Sequence, residues 1–204
     1  MEHTNNIILR GTMVELPKFS HENHGRQFYR FSLEVERLSG AVDILPVVIE
    51  KQLLDSVDPT AGSMITVTGQ IRSYNQRTDG IRHLLIFVYA VSIIAEDTQP
   101  ENQVCLTGTL CREPNLRRTP LGREICDMML AVKRPFHRSD YLPCILWGRT
   151  ALVLSSCHTG DTISIQGRLQ SRIYTKLTED GPVEHTAYEI SALTAQQEYE
   201  TEEI

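Results

Sequence analysis

The sequence predicts an all-β protein: two tandem five-stranded barrels, each with one short helix between its third and fourth strands. Three observations predict it. The chain repeats itself, its apolar residues alternate or run in short β-branched stretches, and each repeat holds a single helix-like insert. The repeat is read first because a missed duplication misassigns the whole fold. Ile7-Ile8-Leu9-Arg10-Gly11-Thr12 returns as Val104-Cys105-Leu106-Thr107-Gly108-Thr109, and Phe31, Leu33 and Val35 return as Met128, Leu130 and Val132. Pro46-Val47-Val48-Ile49 returns as Pro143-Cys144-Ile145-Leu146, and all three matches share one separation of 97 residues. Ile65-Thr66-Val67-Thr68-Gly69-Gln70-Ile71 matches Ile163-Ser164-Ile165-Gln166-Gly167-Arg168-Leu169 one residue later in register. The expected domains are therefore 1–95 and 103–195, with a polar linker at 96–102 and an acidic tail at 196–204.

In the first copy, residues 7–14, 26–36, 42–50, 63–74 and 83–94 read as strands, separated by turn signals such as Ser39-Gly40 and Asp79-Gly80. The helix-like insert is KQLLDSV at 51–57, ending at Asp58-Pro59; TALVLSSC at 150–157 takes its place in the second copy. Five strands with one helix after the third is the layout of the oligonucleotide/oligosaccharide-binding (OB) barrel. Gly69 and Gly167 fall in mid-strand, where such a barrel bends tightly.

Composition narrows the class. The longest apolar stretch in these 204 residues, 84–95, is too short to span a bilayer, and the polar start Met1-Glu2-His3-Thr4 lacks an apolar core segment. A soluble, cytoplasmic protein without a membrane partner is expected. The five cysteines form no C-x-x-C pair, which fits reduced thiols in such a compartment. His21 and His24 share a polar loop, but no Cys or carboxylate completes a metal set around them. His137 and His158 are isolated and no Ser or Cys sits in a nucleophile motif, so neither enzyme activity nor a cofactor is expected. The net charge of −6 is uneven. Residues 103–195 carry eleven Lys/Arg against nine Asp/Glu, while Glu198, Glu200, Glu202 and Glu203 crowd the tail. An acidic end beside a weakly basic body is compatible with nucleic acid.

Function points to residues 131–149, AVKRPFHRSDYLPCILWGR. An alternating strand ends in Lys133-Arg134-Pro135-Phe136, Arg138 and Tyr141 follow, and a second strand delivers Trp147, Gly148 and Arg149. Cations hold a phosphate backbone and flat rings stack on bases, as a single-stranded nucleic-acid groove requires. Each ring also has an ordinary reading: Trp147 as a half-buried core indole, Tyr141 and Tyr174 as surface cross-strand tyrosines.

The second copy, from Gln103 to about Leu193, resembles bacterial single-stranded DNA-binding proteins. The pieces that carry the resemblance are Leu106-Thr107-Gly108-Thr109-Leu110, Arg112-Glu113-Pro114, Thr119-Pro120-Leu121-Gly122, Leu130 to Phe136, Ile145-Leu146-Trp147-Gly148-Arg149 and Gln166 to Tyr174, in that order. The resemblance implies base stacking on Phe136, Tyr141, Trp147 and Tyr174. Lys133, Arg134, Arg149 and Arg172 are the cations expected on the backbone. The first copy departs: along the constant separation its equivalents of Phe136, Tyr141 and Trp147 are Ser39, Ile44 and Glu50. Only Tyr74, near the equivalent of Tyr174, keeps a ring, with Arg72 beside it. Assemblies in that family present four such barrels, so a homodimer is expected. The tail is acidic and lacks the family's aspartate-plus-proline-phenylalanine tip; replication or repair proteins are the partners that the resemblance implies for it. The function expected is sequence-nonspecific binding of single-stranded DNA in replication, recombination or repair. The alternatives are a primosomal-type replication accessory and an assembly module working through protein contacts.

Overall fold

In the computed structural model, which describes residues 4–57, 59–78, 81–178 and 181–199, the alternating patterns become strands that pair side by side in one twelve-stranded sheet. The first half runs β1 (Asn5–Met13), β2 (Lys18–Asn23), β3 (Arg26–Glu36), β4 (Val42–Glu50), α1 (Lys51–Leu54), β5 (Met64–Thr78) and β6 (Ile81–Ala95). The second runs β7 (Glu101–Leu110), β8 (Asn115–Arg118), β9 (Glu124–Arg134), β10 (Arg138–Trp147), α2 (Gly148–Leu154), β11 (Thr162–Thr178) and β12 (Gly181–Glu198).

Each half closes on itself. β1 pairs antiparallel with both β5 and β3, β3 pairs with β4, β5 with β6, and a parallel contact of β4 with β6 at Val47↔Val88 completes a five-stranded barrel. The second half repeats the circuit, with β10 parallel to β12 at Cys144↔Ile190. Period-2 alternation explains what each barrel encloses. Along β3, Phe31, Leu33 and Val35 are buried while Glu34 and Glu36 face water; along β10, Leu142, Cys144 and Leu146 are buried in the same way. Two barrels thus make one apolar core cluster running through both halves.

Gly69 and Gly167 mark equivalent irregularities in β5 and β11, where the register to β6 and β12 shifts by one. A Cβ on Gly167 would fall on the carbonyl oxygen of Ser191, and one on Gly69 on that of Tyr89. Only a bare Cα lets the two strands approach there. Beside each irregularity an asparagine side chain substitutes for a missing ladder partner. The Asn5 amide donates to the Ile71 carbonyl at 2.8 Å and accepts from its N–H at 2.8 Å; Asn102 does the same with Leu169 at 2.7 and 2.9 Å.

Three features were not anticipated. β2 and β8 add a short antiparallel strand outside β3 and β9, so each half carries six strands, five of them in the barrel. Helix α1 is a single turn ending at Leu54, and α2 starts at Gly148. Finally, β12 continues through Glu198, so 196–198 of the expected tail is strand; residues 200–204 lie outside the described residues. Between β6 and β7 the irregular segment is 96–100, and Arg10 ties it down through Glu96 at 3.0 Å and Glu101 at 3.1 Å.

The halves join along β1 and β7, antiparallel from Asn5↔Leu106 to Arg10↔Glu101. Two fully buried carboxylates, equivalent by the repeat, fasten the seam. Asp43 accepts from Ser171 N–H at 2.7 Å and Ser171 Oγ at 2.9 Å, while Arg37 grips it with two N–H groups at 2.5 and 2.6 Å. Asp140 accepts from the Ser73 N–H at 2.8 Å, from Arg134 at 3.0 Å and from Arg72 at 3.1 Å. Buried charges persist only with such partners.

Candidate nucleic-acid interface

Strand register decides which side chains share a face. Residues opposite each other in a ladder point the same way, and alternate residues along a strand return to that side. On β10 the outward set is Tyr141, Pro143, Ile145 and Trp147, because Leu142, Cys144 and Leu146 fill the core. Tyr141 lies opposite Ala131, which puts Lys133 of β9 on the same side. Ile145 lies beside Ser191 of β12, and Ser191 opposite Arg168 of β11, so Arg168, Arg172 and Tyr174 join that face. Tyr141, Trp147 and Tyr174 are 45%, 37% and 40% exposed, too open for core roles yet backed by sheet.

Each ring is held. The Trp147 indole N–H donates to Ser191 Oγ at 3.1 Å, which fixes the ring across the β10–β12 junction with one edge toward solvent. Tyr174 stacks on His185, its partner across the β11–β12 hairpin, with centroids 5.5 Å apart, and the Arg172 guanidinium lies 5.6 Å from the tyrosine centroid. Phe136 caps the three-residue loop between β9 and β10, 90% exposed, with φ of 62°; His137 follows at 54°. Two consecutive non-glycine residues in the left-handed region cost on the order of 1–3 kcal/mol each. The Phe136 ring is absent from the apolar core cluster and stands in solvent. Arg149 is exposed in the first turn of α2. Arg168 retains a buried Nε–H without a hydrogen-bond partner among the described residues, a donor on the same face that sequence reasoning did not place in the site.

Two of the expected cations are placed elsewhere. Arg134 points to the core side of the β9–β10 hairpin, opposite to its neighbour Lys133, and spends its charge on Asp140. Arg72 spends its own on the same carboxylate and also donates to Gln70. Both fasten the seam. Asp140 is 68 residues from Arg72 in sequence, so no local pattern reveals that pair, whereas it lies only six residues from Arg134.

The first half presents a different surface at the same positions. Tyr29↔Ile49 and Phe28↔Glu50 mirror Cys126↔Leu146 and Ile125↔Trp147, which puts Glu50 where the second half has Trp147; Glu50 pairs with Arg26 at 3.5 Å. Ile44 stands at the place of Tyr141. Tyr74 is not the counterpart of Tyr174. Gln76 is, because it lies opposite His83 as Tyr174 lies opposite His185; Tyr74 occupies the place of Arg172 and meets Phe87 edge-on at 6.4 Å. The rings of this half are gathered around β3 instead, where His21 stacks on Phe28 at 4.8 Å and Phe28 leans on Tyr89 at 6.2 Å.

Burial pushes the Cys126 thiol up to about 11 and pushes Cys144 up as well, which keeps both protonated and inert. Among the described residues no three His, Cys, Asp or Glu side chains gather to hold a metal, and no helix is long and apolar enough to cross a membrane.

Residues 101–197 match the single-strand binding protein family. Single-stranded DNA-binding protein B of Bacillus subtilis (strain 168) is 38% identical over 80 residues, which is 36% of this chain and 71% of that protein. The single-stranded DNA-binding protein of Oceanobacillus iheyensis is 36% identical over 78 residues, 35% of this chain and 48% of that protein. Against most of these relatives the chain spans about half of their length or less. In fold, the wild-type single-stranded DNA binding protein from Thermus aquaticus superimposes with a TM-score of 0.81, covering 98% of this chain and 96% of that one at 22% identity. The likeness in fold therefore extends over both barrels, and the likeness in sequence marks the second; this chain belongs to the single-strand binding protein family.

Proposed function

We propose that the outer face of the second barrel binds single-stranded DNA without sequence preference, in replication, recombination or repair. Bases stack on Tyr141, Trp147, Tyr174 and Phe136, while Lys133, Arg149, Arg168 and Arg172 meet the phosphates. Arg72 and Arg134 act at the seam instead. The observation that carries this reading is the gathering of three half-exposed rings on one sheet face with Lys133 and Arg172 beside them. The role is binding, with no catalytic step and no cofactor, and the site of action is the cytoplasm. The chain acts as two OB units joined by the short segment 96–100, the second unit running from Glu101 to Glu198 rather than from 103 to 195. A homodimer brings the number of barrels to four.

The test is a titration of labelled oligo-dT with the wild type and Trp147→Ala over a salt series. Each stacked base is worth about 1–3 kcal/mol, so Trp147→Ala weakens binding about 5- to 150-fold. Affinity also falls as salt rises, because bound phosphates release counterions. Unchanged affinity removes Trp147 from the site, and a flat salt response removes the phosphate track.

A further inference from the structure

The two long hairpins, β5–β6 and β11–β12, each reach across the seam: β5 lies against β10, and β11 lies against β4. Between these arms runs an open groove of ≈ 1120 Å³. The repeat maps its two banks onto each other, with Pro46 against Pro143 and His83 against His185. The banks nevertheless differ in chemistry. One carries Tyr174 and Tyr188; the other carries Tyr74, Leu85 and Phe87, with Arg30 and His21 further along. Among the described residues no Asp or Glu lines it, in a chain with 26 acidic residues and a net charge of −6. A groove with rings on both banks, an arginine at one side and no carboxylate suits an anionic strand of unpaired bases.

We propose that this groove is where a bound single strand crosses from the second barrel to the first, its bases passing between the Tyr174–His185 pair and the Tyr74–Phe87 pair. This rests on the stacking face proposed above, since Tyr174 belongs to both. It gives the first barrel a part in the bound track, although Ser39, Ile44 and Glu50 replace the rings of its partner. The strand leaves one stacking face and enters a corridor that both barrels wall.

Two variants of the full chain test it, each at an exposed position on the bank of the first barrel: Tyr74→Ala removes a ring, and Leu85→Glu places a carboxylate in the groove. One barrel covers ~4–16 nucleotides, so each variant is titrated with oligo-dT of about 8 and about 35 nucleotides. Tyr74→Ala is expected to weaken the long oligonucleotide about 5- to 150-fold, the loss of one stacked base, and Leu85→Glu to weaken it comparably. The short one, satisfied by the second barrel alone, binds both variants as it binds the wild type. Wild-type affinity for the long oligonucleotide in both variants overturns the crossing. Equal loss on both lengths overturns it too, by making the groove part of the second barrel's own site. Failure of the wild type to bind either length overturns the stacking face beneath it, a result distinct from the other two.

Discussion

At the end of the third barrel strand the first half of this chain carries Glu50 and the second carries Trp147. One step inward the two are alike: Ile49 and Leu146 are both fully buried, as are Leu45 and Leu142. The pattern holds along the strand. Inward positions keep apolar residues because a barrel interior is close-packed and tolerates little change in volume. Outward positions at the strand's ends are released from that constraint, and there the halves part, Ile44 against Tyr141 and Glu50 against Trp147, as does the loop before the strand, Ser39 against Phe136. The loop between the second and third barrel strands shows the same contrast in backbone terms. The first half uses Gly40 at φ 79°, which costs nothing, whereas the second holds Phe136 and His137 left-handed. The duplication thus separates what folding demands, kept twice, from the outward rings that the second copy carries and the first lacks at the same positions.

Making the second half resemble the first removes the difference most completely. The triple variant Phe136→Ser, Tyr141→Ile, Trp147→Glu exchanges three stacking positions for those of the other barrel. Binding of oligo-dT in a filter or anisotropy assay is expected to fall about 10³-fold or more, with the circular dichroism of the fold retained. Wild-type affinity in this variant would mean the outer face is not the site.

The seam tests the opposite expectation, that the halves behave alike. Asp140→Ala leaves Arg72 and Arg134 without their buried partner, and Asp43→Ala does the same to Arg37. Removing one member of a buried pair costs about 3–5 kcal/mol, so urea midpoints should drop strongly in both. A loss confined to one variant would show that the two fastenings are not equivalent.

Acid sharpens this further. Burial pushes the Asp43 carboxyl up, but hydrogen bonds from Arg37 and Ser171 outweigh it and leave the group below its ordinary value. A carboxylate lowered in the folded state contributes stability that is complete above its unfolded value, about pH 4, and is lost as pH falls through the folded one. Unfolding free energy should therefore decline below about pH 4, and Asp43→Asn should flatten that decline; an unchanged slope would remove Asp43 as its source.

The smallest effect belongs to a single phosphate contact. Arg149→Ala should lower the slope of log affinity against log salt by about 0.7, the share of one phosphate on a single strand, without changing base preference. An unaltered slope leaves Arg149 solvated.

Much of this was legible in the sequence because the signals were local or repeated. The constant separation placed Glu50 opposite in role to Trp147 before any register was seen, and Gly69 and Gly167 marked the bends. What stayed hidden depended on pairing across distance. β2, KFSHEN, is exposed throughout and shows no apolar alternation, so only its ladder with β3 reveals it. Arg72 looks like a surface cation until Asp140, 68 residues on, brings it together with Arg134. Tyr74 lies near the equivalent of Tyr174 but not at it: counting forward seven residues from Gly69 and from Gly167 reaches Gln76 and Tyr174, and counting back from each hairpin tip sets His83 and His185 opposite them. That count was available, and it would also have found the Tyr174–His185 stack.

The chain has one tryptophan, and it sits on the face assigned to the bases. Its fluorescence during a titration with oligo-dT, at low and at high salt, therefore tests the central claim most directly. The account expects strong quenching on binding, with a midpoint that shifts to higher oligonucleotide concentration as salt rises. Binding detected by a second method while Trp147 emission stays constant at both salts would contradict it.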